Sequence, residues 1–165
     1  MDFFNYLEER VDAVLSRHEI VLETIILRSA QIKAGVVEKD EFDLGLRNIL
    51  NYGHTIGHAI ESVSGMTIWH GEAVAMGMVV EAKIARALSL ITDIDVSRIT
   101  GLLIKAELPT EIPSLDQEKV LEAIHHDKKI TRGKIVFALP KGIGEAVMTD
   151  SVSDKVIKHA LGNGK

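Results

Sequence analysis

The sequence predicts a mainly α fold, a multi-helical bundle with one small β-hairpin-like element near residues 134–148. Three observations carry that expectation. Apolar residues recur at helical spacing through most of the chain. Aromatic residues make up only 4% against 46% hydrophobic overall, so the core must be built from Ile, Leu, Val, Ala and Met. Finally, the stretch after His70 carries Gly71, Ala73, Ala75, Gly77, Ala82, Ala85 and Ala87. Small residues at that density let helices approach closely, which places this helix at the centre of the bundle.

In chain order, residues 2–38 hold Phe3, Phe4, Leu7, Val11, Val14 and Leu15, then Ile20, Leu22, Ile25, Ile26 and Ala30. His18-Glu19 marks a break between two helices, and Gly35-Val36-Val37 weakens the pattern enough to end the second. A charged connector, EKDEFD, follows. Asp43 is the expected N-cap of a helix from about Leu44 to Glu61. Gly53 and Gly57 fall inside it, each at a cost of about 1 kcal/mol against alanine, which points to close approach by another backbone or a ligand. Ser64 to Thr67 is the turn, and His70 opens the small-residue helix. A further helix spans Asp93 to Lys105 with Asp95 or Ser97 near its start. ELPTEIPSL is a proline-containing connector, after which Ser114 or Asp116 caps a helix running to about His126. Lys134 to Leu139 reads as a short strand bounded by Pro140, with Ala146-Val147-Met148 as its partner. Asp150 to Leu161 closes the domain.

Composition narrows the function classes. The 165 residues fit one domain, 1–165, with 26% charged residues and a net charge of −5. That balance gives no electrostatic case for nucleic acid or an anionic membrane. Cysteine is absent, so a metal would be held by His, Asp or Glu. No apolar run approaches the ~20 residues that span a bilayer, and the acidic start is unlike a signal peptide; the expected location is the cytoplasm.

The chemical signal lies between Arg47 and His70. Arg47, Asn51, His54 and His58 are spaced four, three and four apart, which on a helix stacks them on one face. Three of the chain's seven histidines fall between His54 and His70. His54, on one helix, and His70, at the start of the next, could converge on a divalent cation, for which a ligand imidazole must be neutral. The alternative is a pair of histidines that merely hydrogen-bond. HTIGH lacks the glutamate of HExxH, which argues against a zinc-protease site. Arg47 offers a planar fork for carboxylate or phosphate, and Asn51 can orient hydroxyls. Lys33, two heptads before Arg47, could add a second cation; equally, Arg47 could pair with Asp40 or Asp43. The cluster His125-His126-Asp127-Lys128-Lys129 follows a helix end, where lysines complement the dipole.

RNILNYGHTIGHAIE followed by HGEAVAMGM resembles the most characteristic segment of 3-dehydroquinate synthase, the shikimate-pathway enzyme of aromatic amino acid biosynthesis. The likeness extends through IKAGVVEKDEFDLGLR, HHDKK and GKIVFALPKGIG, in the family's order. It implies a C-terminal helical domain whose NAD-binding partner domain is not in this chain. By position, His54 and His70 are similar to two zinc ligands; Lys33, Arg47 and Asn51 match substrate-binding positions. His58 matches a histidine beside the substrate, and Lys128 or Lys129 matches a lysine that reaches it.

The family's third ligand is a glutamate in a segment resembling AEVIK, expected upstream of Met1. Glu61 and Glu72 do not match its position. The implied parent reaction converts 3-deoxy-D-arabino-heptulosonate 7-phosphate to 3-dehydroquinate and phosphate. Its steps are transient oxidation by NAD, phosphate elimination, re-reduction, ring opening and aldol closure. The resemblance further implies a homodimer for the complete enzyme and no activity for this chain alone. Two alternatives stand beside it: half of a related sugar-phosphate cyclase or metal-dependent polyol dehydrogenase, and a free-standing helical module without catalysis.

Overall fold

The computed structural model describes residues 2–42, 45–126, 130–131 and 134–162. The expected N-cap Asp43 and the cluster residues Asp127, Lys128 and Lys129 lie outside them.

Helix α1 (Asp2–Leu15) and helix α2 (Glu19–Lys39) are separated where the sequence suggested. Arg17 takes a left-handed φ of 58°, and the His18 N–H bonds to the Ala13 carbonyl at 2.8 Å, which closes α1. Helix α2 runs on through Gly35 to Lys39 rather than ending there. One glycine and two valines cost too little helix propensity to stop an established helix.

The single helix expected from Leu44 to Glu61 is two elements. A 3₁₀ helix spans Leu46–Asn51, and helix α3 spans His54–Val63. Between them Tyr52 is extended and Gly53 has a φ of 85°. Gly53 is therefore a chain reversal at the amino end of α3, a conformation that only glycine adopts without penalty. Arg47 and Asn51 consequently do not share one helical stripe with His54 and His58.

Helix α4 (His70–Ala87) is the central element, as its small residues suggested. Ala73, Met76, Val79, Val80, Ala82, Ile84 and Ala85 are all buried, and α4 packs against α3, α5 (Asp93–Lys105), the strand Phe137–Pro140 (β3) and the closing helix Asp154–Leu161 (α7). Helix α5 has the predicted bounds, but its cap is Thr92: Thr92 Oγ1 accepts from the Asp95 N–H, and the Asp95 carboxylate accepts from the Thr92 N–H. Helix α6 (Gln117–His126) is capped by Asp116, whose carboxylate accepts from the Glu118 N–H at 3.0 Å. Arg98 of α5 donates to Asn5 and Glu8 of α1 and sits 5.1 Å from the Phe4 ring centre, which fastens α1 to the bundle.

Among the described residues, the β element is two antiparallel strand pairs. Strand β1 (Ile130–Thr131) pairs with β2 (Lys134–Ile135), and β3 (Phe137–Pro140) pairs with β4 (Ala146–Thr149). Phe137, Ala138 and Leu139 are buried in the core. Helix α7 (Asp154–Leu161) starts four residues later than Asp150, and inserts Ile157, Ala160 and Leu161 beside α4. Among the described residues no helix is long and apolar enough to cross a membrane.

Candidate functional site

Two groups of polar side chains flank the Tyr52-Gly53 break. The first is a cleft of about 580 Å³ between α2 and the 3₁₀ helix, lined by Lys33, Arg47, Asn48 and Asn51 with Phe3 and Ser29. Asp40, buried at the end of α2, builds this cleft: its carboxylate accepts from the backbone N–H groups of Gly45 at 3.1 Å and Arg47 at 3.0 Å. Asp40 does meet Arg47, but as a buried acceptor of Arg47's main-chain N–H rather than as the surface ion pair the sequence allowed. That contact anchors the residue and leaves the guanidinium among the cleft-lining groups. Asn51 donates to the Asn48 side chain at 3.2 Å. Lys33, Arg47 and Asn51 are thus brought together, though by tertiary packing.

The second group is made by α3 and α4. Gly53 and Gly57 lie against Val74 and Gly77, so close that a Cβ on Gly57 would stand 3.0 Å from the Val74 Cα. Sequence reasoning expected this contact at Gly53, Gly57 and Gly77. It did not single out Glu81, which is fully buried and whose carboxylate accepts from the N–H of Gly53 at 2.6 Å and of Ile56 at 3.3 Å. The orphan donors at the start of α3 are thereby satisfied from the neighbouring helix. A signal was available: Ala73, Gly77 and Glu81 recur every four residues, placing an acid on α4's closest-packed face. Tyr52 donates its hydroxyl to the Met78 carbonyl at 2.6 Å. Burial, with a smaller contribution from Glu81's charge, pushes the Tyr52 phenol well above its ordinary range, so it remains a neutral donor.

With the two helices locked in this way, three imidazoles converge. Ring centres are 5.5 Å apart for His54 and His58, 5.5 Å for His54 and His70, and 5.7 Å for His58 and His70. His54 Nδ1 lies 3.3 Å from the Tyr52 carbonyl, and His70 Nδ1 lies 3.0 Å from a Glu61 carboxylate oxygen. Donor atoms of His58, Glu61 and His70 fall within 4.8 Å of one another. This donor set suits a divalent cation. Two imidazoles sharing a tetrahedral ion through bonds of about 2.0–2.1 Å bring their ring centres roughly 5 Å apart; all three histidine pairs lie near that spacing, while the group whose donor atoms fall within 4.8 Å holds His58 and His70 and not the expected His54. Glu61, which the sequence comparison of ligand positions set aside, is therefore part of the cluster. Glu72 instead accepts from the Trp69 N–H at 3.2 Å, capping α4. A further cleft joins His58 to Lys119 and His126 of α6.

Residues 1–130 match the family described as 3-dehydroquinate synthase C-terminal. The 3-dehydroquinate synthase of Synechocystis sp. is 47% identical over 165 residues, an alignment covering 98% of this chain and 46% of that protein. The chain therefore spans about half the length of the curated relatives it matches. Among solved structures, the 2-epi-5-epi-valiolone synthase of Streptomyces hygroscopicus, with NAD+ and Zn2+ bound, superposes with a TM-score of 0.86 at 23% identity, over 97% of this chain and 45% of that one. A 2-deoxy-scyllo-inosose synthase complexed with carbaglucose-6-phosphate, NAD+ and Co2+ gives a TM-score of 0.72 at 32% identity, over 85% of this chain and 41% of that one.

Proposed function

The chain belongs to the 3-dehydroquinate synthase C-terminal family, and from that membership we propose that it is the substrate- and metal-binding half of a 3-dehydroquinate synthase. The reaction is conversion of a seven-carbon keto-acid sugar phosphate to 3-dehydroquinate with release of phosphate, and an NAD-binding half completes it. The observation that carries this reading is the mutual approach of His54, His58 and His70, with ring centres 5.5–5.7 Å apart, beside the α3–α4 contact. His54 and His70 hold a divalent cation, zinc by family resemblance, through neutral imidazole nitrogens. When bound, the cation would polarise the substrate hydroxyl that is transiently oxidised.

The remaining roles belong to the chain's own residues. Lys33 and Arg47 hold the carboxylate or phosphate in the first cleft, with Arg47 held in place through Asp40. Asn51 orients a substrate hydroxyl, and His58 is placed to hold or move a proton beside the cation. Lys128 or Lys129 supplies a further cation to the substrate. A division of labour of this kind predicts that the chain alone releases no phosphate from the seven-carbon substrate, with NAD and zinc supplied. Restoring an NAD-binding half from a relative should bring phosphate release back; turnover by the isolated chain would overturn the domain reading. The 32% identity to 2-deoxy-scyllo-inosose synthase favours one second reading, a related sugar-phosphate cyclase with another substrate in the same cleft. Product analysis of the completed enzyme separates the two.

A further inference from the structure

We propose that Glu61 is a positioning residue that fixes which nitrogen His70 offers to a cation. The proposal rests on the reading of His54 and His70 as ligands. An ionised carboxylate can only accept a hydrogen bond, so the 3.0 Å contact between Glu61 and His70 Nδ1 places the ring proton on Nδ1. Nε2 is then the lone-pair nitrogen, turned away from Glu61. The same logic operates on His54 with a different acceptor. Its Nδ1 lies 3.3 Å from the Tyr52 carbonyl, and a carbonyl oxygen likewise accepts only. Both candidate ligands are therefore set to the same tautomer, one by main chain and one by a side chain, so that Nε2 of each is the coordinating atom.

The local fold holds Glu61 to this task. Glu61 stands two turns after His54 on α3, so one helix supplies both a ligand and the group that orients the other ligand. The turn to α4 is tied to Glu61's own carbonyl, which accepts from the Met66 N–H at 3.0 Å and the Ser64 hydroxyl at 2.8 Å. Gly65 and Met66 both take left-handed φ values, 65° and 61°, and so reverse the chain within two residues. His70 enters α4 four residues later, on a turn pinned to the residue that orients it. The Glu61 side chain is 16% exposed and the His70 side chain 57%, so the acceptor is the better sheltered of the two. A Glu61 oxygen also belongs to the 4.8 Å donor group with His58 and His70, and direct ligation by Glu61 is the competing arrangement that the experiment must separate.

The test compares the wild-type chain with Glu61→Gln, Glu61→Ala, His54→Ala and His70→Ala. The first readout is the tautomer of His70 in the metal-free protein at pH 8, by long-range proton–nitrogen NMR, which needs no metal. The second is zinc affinity by calorimetry. Wild type should show His70 protonated on Nδ1. Glu61→Ala should lose that preference and bind zinc about 10–100-fold more weakly, while Glu61→Gln, whose amide oxygen still accepts, should keep the tautomer and most of the affinity. An unchanged tautomer or unchanged affinity in Glu61→Ala would overturn the proposal. So would loss of binding in Glu61→Gln as complete as in His70→Ala, which would make Glu61 a ligand. Failure of the underlying reading looks different: zinc affinity would be absent from wild type or indifferent to His54→Ala and His70→Ala, whatever the His70 tautomer, and the proposal would fall with it.

Discussion

Gly77 of α4 packs directly on Gly53 at the start of α3: a Cβ at position 77 would be driven into the Gly53 carbonyl oxygen and to 2.8 Å from the Gly57 nitrogen. The obstructing atoms are main chain, so no side-chain rotation relieves the overlap. Gly77→Ala should lower stability by about 3 kcal/mol, the upper end of ordinary overpacking. Gly101, inside α5 with nothing near its Cβ position, is the matched control. Gly101→Ala should raise stability by about 0.5–1 kcal/mol through helix propensity. Denaturant unfolding of both variants checks the pair; equal effects would remove the close contact from its central place.

Glu81 makes a second prediction from the same interface. Glu81→Ala leaves the Gly53 and Ile56 N–H groups buried without their acceptor, at about 1–3 kcal/mol for each group. Because His54 sits in the first turn of α3, the variant should also weaken zinc binding. Glu81→Gln keeps one acceptor oxygen and should fall between. A Glu81→Ala protein that melts like wild type would mean that the α3 amino end finds its partners elsewhere.

These two residues also mark where the sequence was legible and where it was not. The helix from His70 and the helix Asp93–Lys105 were readable because helical periodicity in both, and small-residue density in the first, pointed the same way. The 4-3-4 spacing of Arg47, Asn51, His54 and His58 fits one helix equally well, and nothing in periodicity distinguishes a helix from a 3₁₀ segment followed by a reversal. Gly53 held the answer in an ambiguous form. Absence of a Cβ permits both close approach to Val74 and Met78 and a φ of 85°, and only the first was read. Tertiary contacts, the Asp40 grip on Arg47 and the Glu81 grip on Gly53, place these residues without a shared helix face. Glu61 was weighed only against the family's ligand position and set aside, because its partner, His70, is brought to it only by the turn.

Acid sensitivity should begin with the α1–α5 tie. Hydrogen bonding to Arg98, reinforced by its charge against a smaller burial effect, holds the Glu8 carboxyl below its usual range. Asp93 is lowered by its hydrogen bond to Arg86, and Asp95 by those from Thr92. A group whose folded pKa is depressed contributes stability above its unfolded pKa, near 4, and loses it as pH falls through the folded value. The melting temperature should therefore decline below about pH 4. Arg98→Ala should be less stable at neutral pH and show a shallower decline, because Glu8 has then lost its partner. Parallel pH profiles for the two proteins would assign the acid transition to other carboxylates.

The proposed anion cleft gives the last prediction. Lys33 reaches it from α2 and Arg47 from the 3₁₀ helix, so two cations on separate elements face one volume of about 580 Å³. Like charges held together without a bound anion repel, and an anion of the size of phosphate should relieve that repulsion. Inorganic phosphate titrated into the chain should shift the amide signals around Arg47. Lys33→Ala or Arg47→Ala should each weaken binding roughly tenfold, the loss of one charge-assisted hydrogen bond. Asp40→Ala tests the architecture rather than the charge. It removes an acceptor that never meets the ligand, yet frees the main chain at Gly45 and Arg47, so phosphate affinity should drop even though a negative charge has been removed nearby. Simple electrostatics predicts the opposite sign, with binding improved when Asp40 is neutralised. A tighter phosphate complex in Asp40→Ala would show that Arg47 does not depend on its anchored turn, and unchanged affinity in Lys33→Ala and Arg47→Ala would remove the anion from this cleft.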